Sequence, residues 1–138
     1  MDWIRFLIVV AAASVATSFT DWLFMGVLFH DRYKAAPELW RSDAAASEPR
    51  YILISQLVAV ISCAAFTGLC VLVSFTALPQ ALGVAVLVWL AGPVVVLAQF
   101  VLWTRLHPLI GLSHALGWLT RFLITALLVA WLLSRHTM

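Results

Sequence analysis

The chain has 138 residues, 64% of them hydrophobic and 10% charged, with a formal net charge of +2. Soluble domains run near 45–50% apolar and about 25% charged. A mean hydropathy of +1.07 therefore excludes an ordinary soluble domain and predicts an all-α integral membrane protein. The length allows one compact bundle and no second domain. No basic run interleaved with aromatics points to nucleic acid, and the bilayer is the expected partner.

A helix needs about 20 residues to cross roughly 30 Å of hydrocarbon. Four segments meet that length: about residues 3–29, 51–75, 79–103 and 109–134. They predict a four-helix transmembrane bundle, residues 1–138 forming a single domain. The first segment opens with a short apolar run and small residues, as a cleaved signal peptide does. Its basic start is poor, because Asp2 offsets Arg5, and apolar character resumes after Asp21. It reads as a retained span.

Residues 30–50 form the one long connection. Its middle, APELWRSDAAASEP, predicts a short helix with Pro37 in the first turn and Leu39 and Trp40 at the membrane interface. Pro49 suits the start of the second span. In that span Ala59, Cys63, Thr67 and Cys70 recur on one stripe, which suits close helix packing. The two cysteines lie about 10 Å apart along that helix, too far for a disulfide. The third span follows the break at Leu78–Pro79 and carries Gly92–Pro93 near its middle. That proline frees the Trp89 carbonyl and predicts a kink. The fourth span follows His107–Pro108.

Short turns make sequential spans antiparallel. The long loop and the turn 104–108 share one end of the bundle, here the long-loop end. Both termini and the turn 75–79 share the other. Arg32, Lys34, Arg41, Arg50 and Arg105 fall at the long-loop end, against Arg5 and Arg135 at the termini end. The positive-inside rule then places loop 30–50 in the cytoplasm and both termini outside. A bacterial inner membrane is the expected location. Trp3 and Trp131 at one end, and Trp40 and Trp103 at the other, suit interfacial belts.

Two charges sit inside spans. Arg121 is the only charge of the fourth and lies near its midpoint. Asp21 lies about four residues past the centre of the first, roughly 7 Å toward the long-loop end. Helical side chains lean toward the helix N-terminus, so the two converge in depth if their helices are adjacent. Ser14, Thr17, Ser18 and Asp21 share one stripe; His114, Gly117, Arg121 and Thr125 share another. Gln56 and Gln99 add polar atoms in the same half of the membrane. Intramembrane charges cost about 2.5–3.5 kcal/mol each on insertion scales and face the interior. The expected polar centre is Asp21, Arg121, Thr17, Gln56, Gln99 and His114.

Three readings of that centre stay open. The pair can clamp the first helix to the last, giving a structural or interaction protein. It can line a polar pocket of a small transporter or channel, which suits a homo-oligomer. Third, His30, His107 and His114 at one membrane face can hold a metal or haem, though their spacing matches no zinc or haem motif. No nucleophile elbow, phosphate loop, paired carboxylates or HExxH occurs, so no catalytic residue and no cofactor is assigned.

The run DWLFMGVLFHDRY followed by PELWR resembles the small bacterial four-span proteins of domain-of-unknown-function family 1761. The likeness covers about 25 residues, and Asp21, Trp22 and Tyr33 are the positions it carries over. The fourth-span run HALGWLTRFLI fits that pattern less specifically. The resemblance implies an architecture and a membrane location, and no mechanism.

Overall fold

A computed structural model describes residues 2–40 and 48–133. Among the described residues, four apolar helices have the length of membrane spans: Trp3–Leu28, Glu48–Leu72, Leu78–Trp103 and Pro108–Leu132. No strand occurs among the described residues. The first span is α1 (Trp3–Trp22), completed by a π-helical turn, Leu23–Leu28. After Phe29 come the five-residue α2 (His30–Lys34) and one 3-10 turn, Pro37–Leu39. The second span is α3 (Glu48–Leu72). The third comprises α4 (Leu78–Trp89), a π turn at Leu90–Val94, and α5 (Val95–Trp103). The fourth is α6 (Pro108–Leu132).

Helix ends follow local chemistry. Asp2 caps α1, its Oδ1 accepting from the Ile4 and Arg5 amides at 3.1 and 3.2 Å. Arg5 then reaches across and donates to the Leu132 carbonyl at 3.4 Å. A cation at the carbonyl end of α6 complements its dipole. His107 caps α6 through Nδ1, which accepts from the Leu109 amide at 3.2 Å, and Pro108 takes the first turn. A proline there sacrifices no helical hydrogen bond.

The second span ends at Leu72 rather than Phe75. Phe75 N–H donates to the Cys70 carbonyl at 2.9 Å, and Ser74 N–H to Val71 at 3.1 Å. This is a Schellman turn, with Ser74 in the position usually held by glycine at φ 56°. Val73 and Phe75, on either side of Ser74, hide that stop from hydropathy. A side chain in this conformation costs roughly 1–2 kcal/mol. Ser74→Gly is expected to raise stability by about 1 kcal/mol, read as a higher unfolding midpoint in detergent. The predicted helix in the long loop is a single 3-10 turn in the described part; Arg41 and the rest of 41–47 lie outside the described residues, as does Arg135. The predicted break at Gly92–Pro93 takes the form of the π turn, which absorbs the missing amide of Pro93 by shifting the hydrogen-bond register.

The topology is up-down-up-down, with α6 as the hub. It packs against α1, α3, α4 and α5. Val9 of α1, Phe66 and Cys70 of α3, Ala81 and Ala85 of α4, and Phe122, Ala126 and Val129 of α6 form one buried cluster in the termini half. Small residues on α4 let it approach closely there, as membrane helices require when no hydrophobic force drives them together. The stripe Ala59, Cys63, Thr67 and Cys70 is buried throughout. Trp89 Nε1 donates to the Ala115 carbonyl at 2.8 Å and ties the third span to the fourth. Beyond that point α5 buries no residue.

Candidate functional site: the polar column on the fourth helix

The first and fourth spans are adjacent, and the two intramembrane charges meet. Arg121 Nη2 donates to Asp21 Oδ2. Arg121 is 8% exposed. It engages more than one partner: Nη1 donates to Ser62 Oγ of α3 at 3.3 Å. Its guanidinium carbon also stands 4.6 Å from the ring centroid of Trp118, within cation–π range. Gly117 makes room for the carboxylate, since a Cβ there would lie 3.1 Å from Asp21 Oδ1.

Polar groups extend along α6 in both directions from this pair. Toward the termini end, Thr125 Oγ1 donates to the Arg121 carbonyl at 2.8 Å and approaches Cys63 Sγ at 3.8 Å. Toward the long-loop end, Ser113 Oγ accepts from the Tyr33 hydroxyl at 3.3 Å. The Tyr33 ring meets His114 edge-on, with centroids 5.8 Å apart. His114 lies within Coulombic reach of Asp21. On α1, Thr17 is fully buried and donates to the Ser14 carbonyl at 3.2 Å. Ser18 donates to Gln56 Oε1 of α3. Five of the six expected residues thus fall in or beside one polar seam.

Gln99 does not. It lies on the exposed face of α5 and accepts from Trp103 Nε1 at 3.0 Å, one turn away. Depth alone placed it in the centre. Its half of the third span is packed against α6 and turns this side chain outward.

The three histidines also separate. His30 is exposed, His107 is exposed and spent on the α6 cap, and His114 packs on Tyr33. No group of three or more His, Cys, Asp or Glu side chains able to hold a metal occurs among the described residues. The loop and cap geometry, invisible to spacing, sets them apart.

Tyr33 is the residue that sequence reasoning undervalued. It sits on α2, outside the spans, yet is only 7% exposed. α2 folds back onto α6, where Tyr33 and Ala36 bury against Ile110 beside Met25, Phe29 and Leu106. Trp40 seals the fold-back, its Nε1 donating to the Tyr33 carbonyl at 3.2 Å. Burial pushes the Tyr33 phenol above its ordinary value of 10.0, and the Asp21 charge adds to this, while the bond to Ser113 opposes it. A phenol raised on folding stabilises the folded state below its unfolded pKa, and that stability is lost as pH climbs through the folded value. The unfolding midpoint of the wild type is therefore expected to fall more steeply above pH 10 than that of Tyr33→Phe.

Comparison with protein-family models, with curated proteins and with solved structures finds no match to this chain. Function must be argued from the column itself.

Proposed function

We propose that this protein is a non-catalytic membrane subunit of a bacterial inner membrane, with a structural or interaction role built around the Asp21–Arg121 pair. The observation that carries the reading is the set of partners on one guanidinium. Arg121 joins Asp21 of α1 to Ser62 of α3 while stacking on Trp118 of its own helix. Three spans are tied at one point. Packing between membrane helices is otherwise left to dispersion and close approach, so a charge-assisted bond fixes which helices are neighbours. The outer face of the third span is free for lipid, a second copy or a partner subunit; only 11% of its most apolar window is buried.

The orientation follows the charge bias. Arg32, Lys34, Arg50 and Arg105 flank the long-loop end, which we assign to the cytoplasm, with the termini outside. The resemblance to domain-of-unknown-function family 1761 agrees with this architecture and lends no activity.

The test is a charge swap. Asp21→Arg and Arg121→Asp are each expected to abolish membrane accumulation, and the double variant to restore a substantial part of it. Singles that accumulate normally, or a double variant no better than the singles, would sink the clamp. A transporter reading has one observation in its favour, the partial exposure of the Asp21 side chain at 29%. Against a through-channel stands the apolar cluster of Val9, Phe66 and Phe122, which closes the termini half.

A further inference from the structure

A clamp leaves two groups of the pair unused. Asp21 binds Arg121 through Oδ2 alone; no hydrogen bond to its Oδ1 forms among the described residues, and that atom lies over the bare Cα of Gly117. Arg121 Nε is fully buried and has no hydrogen-bond partner among the described residues. An unmet buried donor is costly in proteins. One acceptor and one donor are thus unmet within a single residue pair.

Access is one-sided. The Asp21 side chain is 29% exposed and that of Arg121 10%. Below them the apolar cluster around Phe122 forms a floor. Above them, about two turns along α6 from Arg121, Tyr33 covers Ser113 and His114. Tyr33 sits on a five-residue helix and is held there by its hydroxyl contact to Ser113 at 3.3 Å, by burial against Ile110 and by the Trp40 indole on its carbonyl. That helix follows the π turn Leu23–Leu28, which begins two residues after Asp21. π turns inside membrane helices are places where the hydrogen-bond register can shift.

Charge selects the occupant. Asp21 and Arg121 cancel, so a charged guest would leave net charge inside the bilayer, which is strongly unfavourable. A neutral guest carries no such cost. The unmet donor and acceptor call for a group that both donates and accepts.

We propose that the pair is the recognition element of a blind, lidded binding site, reached from the long-loop end beneath Tyr33, for a small uncharged molecule bearing a primary amide or hydroxyl group. The site shares its residues with the clamp but does not depend on the clamp being strong.

Three compounds of one shape separate the charge states: acetamide is neutral, acetate an anion and acetamidinium a cation. Each would be titrated against the detergent-solubilised full chain, with saturation-transfer NMR as the readout. Acetamide is expected to give a saturable signal, and the two ions none. Gly117→Ala places a methyl beside Asp21 Oδ1 and is expected to weaken acetamide about tenfold, the worth of one hydrogen bond to a charged group. Tyr33→Phe releases the Ser113 contact and is expected to tighten binding severalfold, because a larger fraction of molecules is open. Absence of a saturable acetamide signal overturns the proposal. So does equal binding of all three compounds, or binding untouched by both Gly117→Ala and Asp21→Asn. If Gly117→Ala does not fold, Asp21→Asn and Tyr33→Phe decide the matter. A wild type that shows no acetamide binding, yet passes the charge-swap test, loses the site and keeps the clamp.

Discussion

Asp21→Leu is expected to destabilise the protein by about 4 kcal/mol, Arg121→Leu by about 2–3 kcal/mol, and the double variant by less than either. The asymmetry comes from what each change strands. Losing Asp21 leaves a guanidinium whose side chain is 10% exposed, and a guanidinium cannot shed its charge. Trp118 and Ser62 offset part of that cost but supply no negative charge. Losing Arg121 strands a carboxylate that is 29% exposed. It is less enclosed than the guanidinium and can take up a proton. The double variant strands nothing and replaces an ion pair by apolar volume, an exchange that is often neutral or favourable in buried sites. Thermal unfolding of the four proteins in one detergent measures the cycle. Singles as stable as wild type would mean that both charges are solvated and that the column is open to water.

Much of this was legible in the sequence, because the bilayer makes hydropathy a strong reporter of span length. Three of the four predicted spans begin within one residue of the observed helices, and the third also ends where it was expected. The meeting of Asp21 and Arg121 was legible from depth and from the polar stripes, since an intramembrane charge has few places to face. Partners of ordinary residue type were harder. Ser62 flanks the small-residue stripe and gives no signal of its own. Trp118 did carry one: it lies three residues before Arg121, the spacing at which helical side chains touch.

Two features had no signature in hydropathy or spacing. Tyr33 reads as a loop residue among His30, Asp31, Arg32 and Lys34. Its burial depends on α2 turning back over Ile110, which only the tertiary fold provides. Gln99 erred the other way. It lies at the right depth, but depth fixes only one of the two coordinates of a residue on a helix. The other is azimuth, set by which neighbour the helix packs on. With α6 as hub, the third span shows one narrow face inward, and Ala81 and Ala85, not Gln99, occupy it.

That hub makes Phe122 the second position of large effect. Phe122→Ala is expected to cost about 2–3 kcal/mol, below the 3–5 kcal/mol usual for such a truncation in a water-soluble core. Its ring lies against Phe66 of α3 and Trp118 of α6, at centroid separations of 5.2 and 5.6 Å. Around it stand Val9, Ala81, Ala85 and Ala126, all fully buried. In lipid the unfolded reference is already apolar, so transfer out of water contributes little. What remains is lost dispersion contact and the void left behind. Small neighbours at Ala81, Ala85 and Ala126 have no side-chain reach with which to fill that void. Phe122→Leu should therefore cost about 1 kcal/mol, because most of the volume stays. The residue also adjoins Arg121 in sequence and shares Trp118 with it, so the two truncations should not add. A double variant less impaired than the sum of its singles, measured by thermal unfolding in the same detergent, would place the aromatic floor and the ion pair in one cooperative unit. Strict additivity would separate them and make the floor a passive seal.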